Sequence, residues 1–188
     1  MKKVTAVLHF NSPTILDISR AAFFYSNLPL NMDIICSVPS GSMSSLLLFE
    51  NDKIKIAERD DTYTGIFKDD KLFLDSEFII FADGHVVIPY GSAEKISELM
   101  TTGNPTIFLY SHPLKLKNEP ANFDLNDMET DGIITKYVFF CFHRNFTRTK
   151  GFNYIQGASH LFQTAKESMR CTDISKEPYS IKTYYYEE

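Results

Sequence analysis

Asp83 and His85 stand two residues apart around Gly84. A turn at that glycine could aim a carboxylate oxygen and an imidazole nitrogen at one cation. That donor pair suits Mn2+ or Mg2+, with a nucleotide diphosphate filling the open positions. The same triplet also suits a strand-end turn with a capping aspartate and an exposed histidine. What precedes it gives the chemical reading its weight. Glu77-Phe78-Ile79-Ile80-Phe81-Ala82 runs almost unbroken in apolar residues, as a strand buried on both faces of a sheet does. In open α/β sheets ligands bind just beyond the carboxyl ends of such strands.

Other residues carry weaker signals. His143-Arg144-Asn145, with Arg148 and Lys150, forms a basic cluster among Phe142, Phe146 and Phe152. It suits a diphosphate or a phosphorylated acceptor, or equally a solvated loop anchored by phenylalanines. Tyr184-Tyr185-Tyr186 could stack on a sugar ring or pack within a sheet. No Gly-x-Ser-x-Gly, P-loop or Gly-x-Gly-x-x-Gly is present, so hydrolase, kinase and dehydrogenase readings have no motif behind them.

The elements that would position these groups follow from periodicity. Residues 3–10 read as a strand with Val4, Ala6, Leu8 and Phe10 on one side. Asn11-Ser12-Pro13 then starts a helix, with Ser12 as N-cap and Pro13 at the first helical position. That helix runs through Ile15, Leu16, Ile18, Ala22 and Phe23 and stops near residues 27–29. Residues 32–38 form a second buried strand, giving a β-α-β opening that favours parallel pairing. Residues 46–50 and 53–57 read either as a hairpin or as a helix end plus a strand. Residues 59–65 read as polar loop, and 69–75 as a helical turn or edge strand. A helix over 92–100 is expected, with Ser92 as N-cap, Ile96, Leu99 and Met100 inward, and Gly103 as its stop. Strands follow at 106–110 and 136–142, separated by a polar surface excursion over 112–130. Residues 157–166 have helical spacing, and 181–188 end the chain as a Tyr-rich strand. The pattern predicts a three-layer α/β/α sandwich with a mixed, mainly parallel sheet.

Composition bounds the function. The chain has 188 residues, 44% hydrophobic and 23% charged, with sixteen Phe and ten Tyr but no Trp. That is core material for a single domain over 1–188. The net charge of −5 gives no global electrostatic case for nucleic acid or an anionic membrane. Cys36, Cys141 and Cys171 are odd in number and widely spaced, which indicates neither a zinc knuckle nor a disulfide framework. Reduced thiols of a cytoplasmic protein are expected. Residues 4–10 are too short and interrupted for a signal peptide or membrane span.

On these residues the chain resembles glycosyltransferases of the GT-A fold, the nucleotide-diphospho-sugar transferase-like class, and among them the broad family 2 type. Those proteins open with a β-α-β nucleotide-binding half, and their central strand ends in Asp-x-Asp or, in some relatives, Asp-x-His. Residues 78–85 are similar to that strand and motif, and Val86-Val87-Ile88-Pro89 to the segment after it. Gln156-Gly157-Ala158, followed by Leu161-Phe162, resembles the family's glycine-led acceptor-side segment. Tyr186-Glu187-Glu188 resembles the acidic pair that opens a later helix.

The resemblance implies sugar transfer from a UDP- or GDP-linked donor to an acceptor it does not identify. Asp83 and His85 would hold the metal, with Asp83, His9, Asn11 and Asp60 on the nucleotide-sugar. Gly157, Ala158 and His160 would face the acceptor, and Glu188, or its neighbour Glu187, would act as general base. Two departures stand out. The second strand ends in Cys36-Ser37-Val38-Pro39-Ser40, where the family has an aspartate-rich segment; Asp60 or Asp61 could serve instead, or belong to a charged solvated loop. The chain also stops at the acidic pair, before the helices that follow it in the family. The alternatives are a non-catalytic nucleotide- or sugar-binding protein of the same fold, and a nucleotidyltransferase.

Overall fold

The computed structural model describes residues 3–42, 50–73, 75–101, 106–118 and 130–187. The chain opens with strand β1 (Val4–His9), helix α1 (Ile15–Ser26) and strand β2 (Met32–Pro39). β1 and β2 pair in parallel, Val4 opposite Met32 and His9 opposite Ser37, as the opening predicts. The helix starts later than expected: its N-cap is Thr14, not Ser12, and Pro13 lies outside it. The reason is Asp17, which stands at the third helical position. The Asp17 amide donates to Thr14 Oγ1 while the Thr14 amide donates to Asp17 Oδ2. This reciprocal box outweighs the proline signal.

Strand β3 (Ile54–Arg59) pairs in parallel with β2; of the stretch 46–50 expected before it, residues 46–49 lie outside the described set. Two short 3₁₀ turns, Gly65–Lys68 and Asp70–Phe73, lead to β4 (Phe78–Asp83). A two-residue strand, β5 (Val86–Val87), precedes α2 (Tyr90–Thr101). Ser92 is therefore inside α2 rather than its cap. Pro89 supplies the first carbonyl, accepting from the Ala93 amide at 3.0 Å. Ile96 and Met100 are buried and Leu99 is half-buried; Gly103 lies outside the described residues.

The remaining elements are β6 (Ile107–Ser111), β7 (Leu114–Leu116), β8 (Thr130–Ile134), β9 (Phe139–His143), α3 (Ala158–Ser168), β10 (Arg170–Asp173) and β11 (Tyr184–Tyr185). Among the described residues the main sheet has seven strands in the order β10-β6-β9-β4-β1-β2-β3. All run parallel except β9, which is antiparallel to both β4 and β6. A small sheet, β5-β11-β7-β8, sits beside it.

Alternate residues of β1 separate two cores. Val4, Ala6, Leu8 and Phe10 pack with Ile18, Ala21 and Tyr25 of α1 and Ala93, Ile96 and Met100 of α2. Val7, Ile79, Phe81 and Phe142 face the other layer, where Leu161 and Ala165 of α3 join Phe67, Phe146 and Phe152. Phenylalanine dominates this second core; Phe108 and Phe142 stack at 5.4 Å, and Phe146 meets both edge-on. The architecture is the three-layer α/β/α sandwich with a mixed, mainly parallel sheet.

Two consequences of this frame bear on function. His143 is the register partner of Phe78, at the amino end of β4. The basic cluster around it therefore lies at the opposite end of the sheet from Asp83. Cys36 and Cys141 are buried, and burial pushes each thiol up to about 12, which leaves them unreactive. Among the described residues no helix is long and apolar enough to cross a membrane.

Candidate functional site

At the carboxyl end of the parallel strands lies a cavity of about 370 Å3. His9 reaches it from β1, Arg59 from β3 and Asp83 from β4; Asn11, Asp61 and Tyr63 come from the loops that follow β1 and β3. The far wall is Lys136, Tyr137 and Val138, ahead of β9, with Gln156 and Ala158 at the start of α3. Because β9 runs backwards, its amino end meets the carboxyl ends of its neighbours, which brings Lys136 to this rim.

His9 forms the floor. Its side chain is 7% exposed and packs against the rings of Tyr63, at 4.7 Å, and Phe81, at 6.2 Å. Its Nε2 lies 3.2 Å from Asn11 Oδ1. Arg59 donates to that same oxygen at 3.4 Å and to the Ser37 carbonyl at 3.0 Å, tying together the ends of β1, β2 and β3. An oxygen that accepts from a guanidinium is an acceptor for His9 too, so Nε2 carries the proton. Nδ1 is then a bare acceptor, and among the described residues it has no hydrogen-bond partner. Burial, helped by the Arg59 charge, pushes the imidazole down to about 4, so His9 is neutral at physiological pH.

Asp83 is opposite. Its Oδ1 accepts from the His85 amide at 3.0 Å and lies 3.1 Å from His85 Nδ1. Its Oδ2 takes no hydrogen bond among the described residues. His85 itself is not among the residues that line the cavity. It turns back toward α1, with Nε2 3.6 Å from Oδ1 of the buried Asp17, and packs edge-on against Phe10 and Tyr186. The imidazole thus sits between two carboxylates and fixes the rotamer of Asp83. Gly84 is required by close packing: a Cβ there would overlap the Phe10 ring.

A divalent cation can be tested against these donors. Among the described residues no group of three or more His, Cys, Asp or Glu could hold an ion on protein ligands alone. Magnesium commonly needs only one or two carboxylates, the rest of its shell being substrate phosphates and water. Asp83, with Oδ2 open and Asp61 on the same cavity, fits an ion that arrives with phosphates.

Other sequence candidates fall around the rim or away from it. Ala158 lines the cavity, and Gly157 is the extended N-cap residue of α3. His160 is exposed on α3 and Asp60 is held by Lys68 and Thr62; neither lines the cavity. Those bonds hold the Asp60 carboxyl down at about 2. Glu187 pairs with Lys115 at 2.6 Å, and Glu188 lies outside the described residues. Tyr184, Tyr185 and Tyr186 are buried; Tyr185 stacks at 4.1 Å on Tyr137, so it backs the cavity wall. Arg59, Tyr63, Lys136 and Tyr137 were not singled out from the sequence. Arg59 and Tyr63 fall within the stretch read as polar loop, whereas Arg59 ends β3.

No protein-family model and no curated protein matches the chain. Solved structures do resemble it. The 4-diphosphocytidyl-2C-methyl-D-erythritol synthase from Anaerococcus prevotii DSM 20548 matches with a TM-score of 0.55 at 14% identity, over 96% of this chain and 90% of its own. The bifunctional IspDF from Campylobacter jejuni matches with a TM-score of 0.59 at 13% identity, over 97% of this chain and 52% of its own. A homologue of Mycobacterium tuberculosis rv0371c, from mycobacterium sp. strain JC1, matches with a TM-score of 0.52 at 14% identity, over 90% and 84%. The fold is that of the nucleotide-diphospho-sugar transferase-like class.

Proposed function

We propose that this protein is a nucleotidyltransferase, joining a nucleoside monophosphate unit from a nucleoside triphosphate to a phosphorylated acceptor. The observation that supports the reading is that Asp83 and Lys136 both line one cavity at the carboxyl rim. Asp83 would hold a divalent ion, Mg2+ or Mn2+, that enters with the triphosphate, and that ion would neutralise charge on the phosphates. Lys136 makes no ion pair among the described residues and would meet the phosphates directly. His9 Nδ1 would accept a hydrogen bond from the nucleoside, and the Tyr63–His9 pair would give its ring an apolar floor. The likeness to a diphosphocytidyl-product synthase supports this reading above the glycosyl-transfer one.

The chemistry asks little more of the protein. An acceptor phosphate oxygen forms a bond to the α-phosphorus. The bond from that phosphorus to the bridging oxygen breaks, and pyrophosphate leaves with the electron pair. A phosphate dianion brings no proton, so no general base is needed, and neither Glu187 nor Glu188 has to reach the cavity. Catalysis is then positioning and charge neutralisation.

A second reading is transfer of sugar from a nucleotide-sugar, favoured by the Asp83-Gly84-His85 turn and by Ala158 facing it across the cavity. Thermal shift separates the two. Nucleoside triphosphates with Mg2+ are expected to stabilise the protein more than UDP- or GDP-sugars do, and pyrophosphate release is expected with a phosphomonoester. Stabilisation by nucleotide-sugars alone, with sugar transfer and no pyrophosphate, would reverse the order.

A further inference from the structure

A second cavity, of about 610 Å3, opens further along the same rim, at the carboxyl ends of β6 and β10. We propose that it receives the apolar body of the acceptor, and that the acceptor is an aryl or alkyl phosphomonoester. The inference rests on the nucleotidyl-transfer reading for the phosphate and on the second cavity alone for the apolar body.

Two elements contribute residues to both cavities. Ala158 lines the first and Phe162 the second; they are four residues apart on α3, on one face and one turn from each other. The segment before β9 does the same, with Ile134 in the second cavity and Lys136 in the first. An acceptor held along these two elements would rest its apolar body in the second cavity, with its anionic group at the mouth where Lys182 stands, on the side toward Lys136.

The lining states what that molecule is. Tyr110 and Phe162 meet edge-to-face at 4.5 Å, and with Leu114, Ile134 and Ile181 they make the walls apolar. The volume falls in the range of small-molecule sites. The charge at the mouth is positive. Lys176 is paired with Asp173 at 3.3 Å, but Lys182 has no ion pair among the described residues. Polar groups deeper in are already satisfied: Ser111 and Thr183 bond each other at 2.8 Å. An uncharged polar ligand finds few partners there, whereas an apolar molecule with an anionic group finds both surfaces it needs.

The test uses 2-naphthyl phosphate, which is fluorescent, with the full chain and no nucleotide. Saturable 1:1 binding is expected. Lys182→Glu and Ile134→Glu alter exposed side chains, so both should keep the wild-type circular dichroism. Each is expected to weaken binding about tenfold, the scale of one adverse charge beside an anion at low salt. 2-Naphthol should bind more weakly, and inorganic phosphate at the same concentration should not displace the probe. Absence of binding, equal affinity in both variants, equal binding of naphthol, or displacement by inorganic phosphate would each overturn the proposal. The nucleotide reading is scored apart, by the thermal shift with Mg2+ and triphosphate. If that shift is missing while the naphthyl results hold, the second cavity stands and nucleotidyl transfer falls.

Discussion

His9 and Asp83 are register partners on the last rung that β1 and β4 share. One is an imidazole held neutral by burial and the other a carboxylate with an oxygen left open to the same cavity. Neighbouring parallel strands thus deliver a neutral acceptor and an anion to adjacent points, and the predictions below begin from that pair.

The neutrality of His9 is measurable as a pH dependence of stability. Its imidazole titrates at about 4 when folded and at 6.5 in the unstructured chain. The unfolded state therefore binds the proton first as pH falls. The stability held by neutral His9 is complete above pH 6.5 and is lost as pH drops toward 4, by up to roughly 3 kcal/mol. Urea unfolding of wild type and His9→Gln across that window should show a steeper loss in the wild type. Parallel curves would mean that His9 takes up its proton in the fold.

Asp83→Asn should keep the fold and lose metal dependence. The amide retains the shape at the end of β4 but carries no charge for a cation. The stabilisation by nucleoside triphosphate with Mg2+ should fall at least tenfold in apparent affinity, on the order of 1.4 kcal/mol. Lys136→Gln should weaken binding with and without metal alike. An unchanged metal response in Asp83→Asn would remove Asp83 from the site.

Gly84→Ala tests the tight turn. The added methyl meets the buried Phe10 ring, and relief requires movement of β1 or of the turn. A cost of about 1–3 kcal/mol is expected from urea unfolding. A neutral substitution would mean that Phe10 has room to rotate.

Thr14→Ala removes one half of the capping box on α1 and should cost about 1 kcal/mol. Asp17→Ala should cost more, because Asp17 also faces His85. It should in addition weaken nucleotide binding if His85 fixes Asp83. Equal costs for both variants with unchanged binding would separate the helix cap from the site.

The strand-and-triplet of residues 78–85 was legible because a buried strand writes its character into consecutive residues. The β-α-β opening was legible for the same reason, its periods being local. The start of α1 was misread because Pro13 is the louder signal, whereas the Thr14–Asp17 box works through two backbone amides. Arg59, Tyr63 and Lys136 could not be read as one site. They lie on two segments, the end of β3 with the loop after it and the stretch before β9, that only the crossovers and the reversed β9 bring together. Asp60 and Asp61 look alike in sequence; a neighbouring lysine at 68 takes one and leaves the other to the cavity.

The reversed strand β9 has a further bearing. In an all-parallel sheet every rim residue follows a strand, so altering the rim means altering the loops that lead into helices. Here one wall is reached from the incoming side, by a stretch that also carries β7 and β8 in the small sheet. That stretch could be exchanged wholesale while the floor of His9, Arg59 and Asp83 stays put. Wall and floor of the cavity are thus carried by separate parts of the chain, with Lys136 on the wall and His9, Arg59 and Asp83 on the floor.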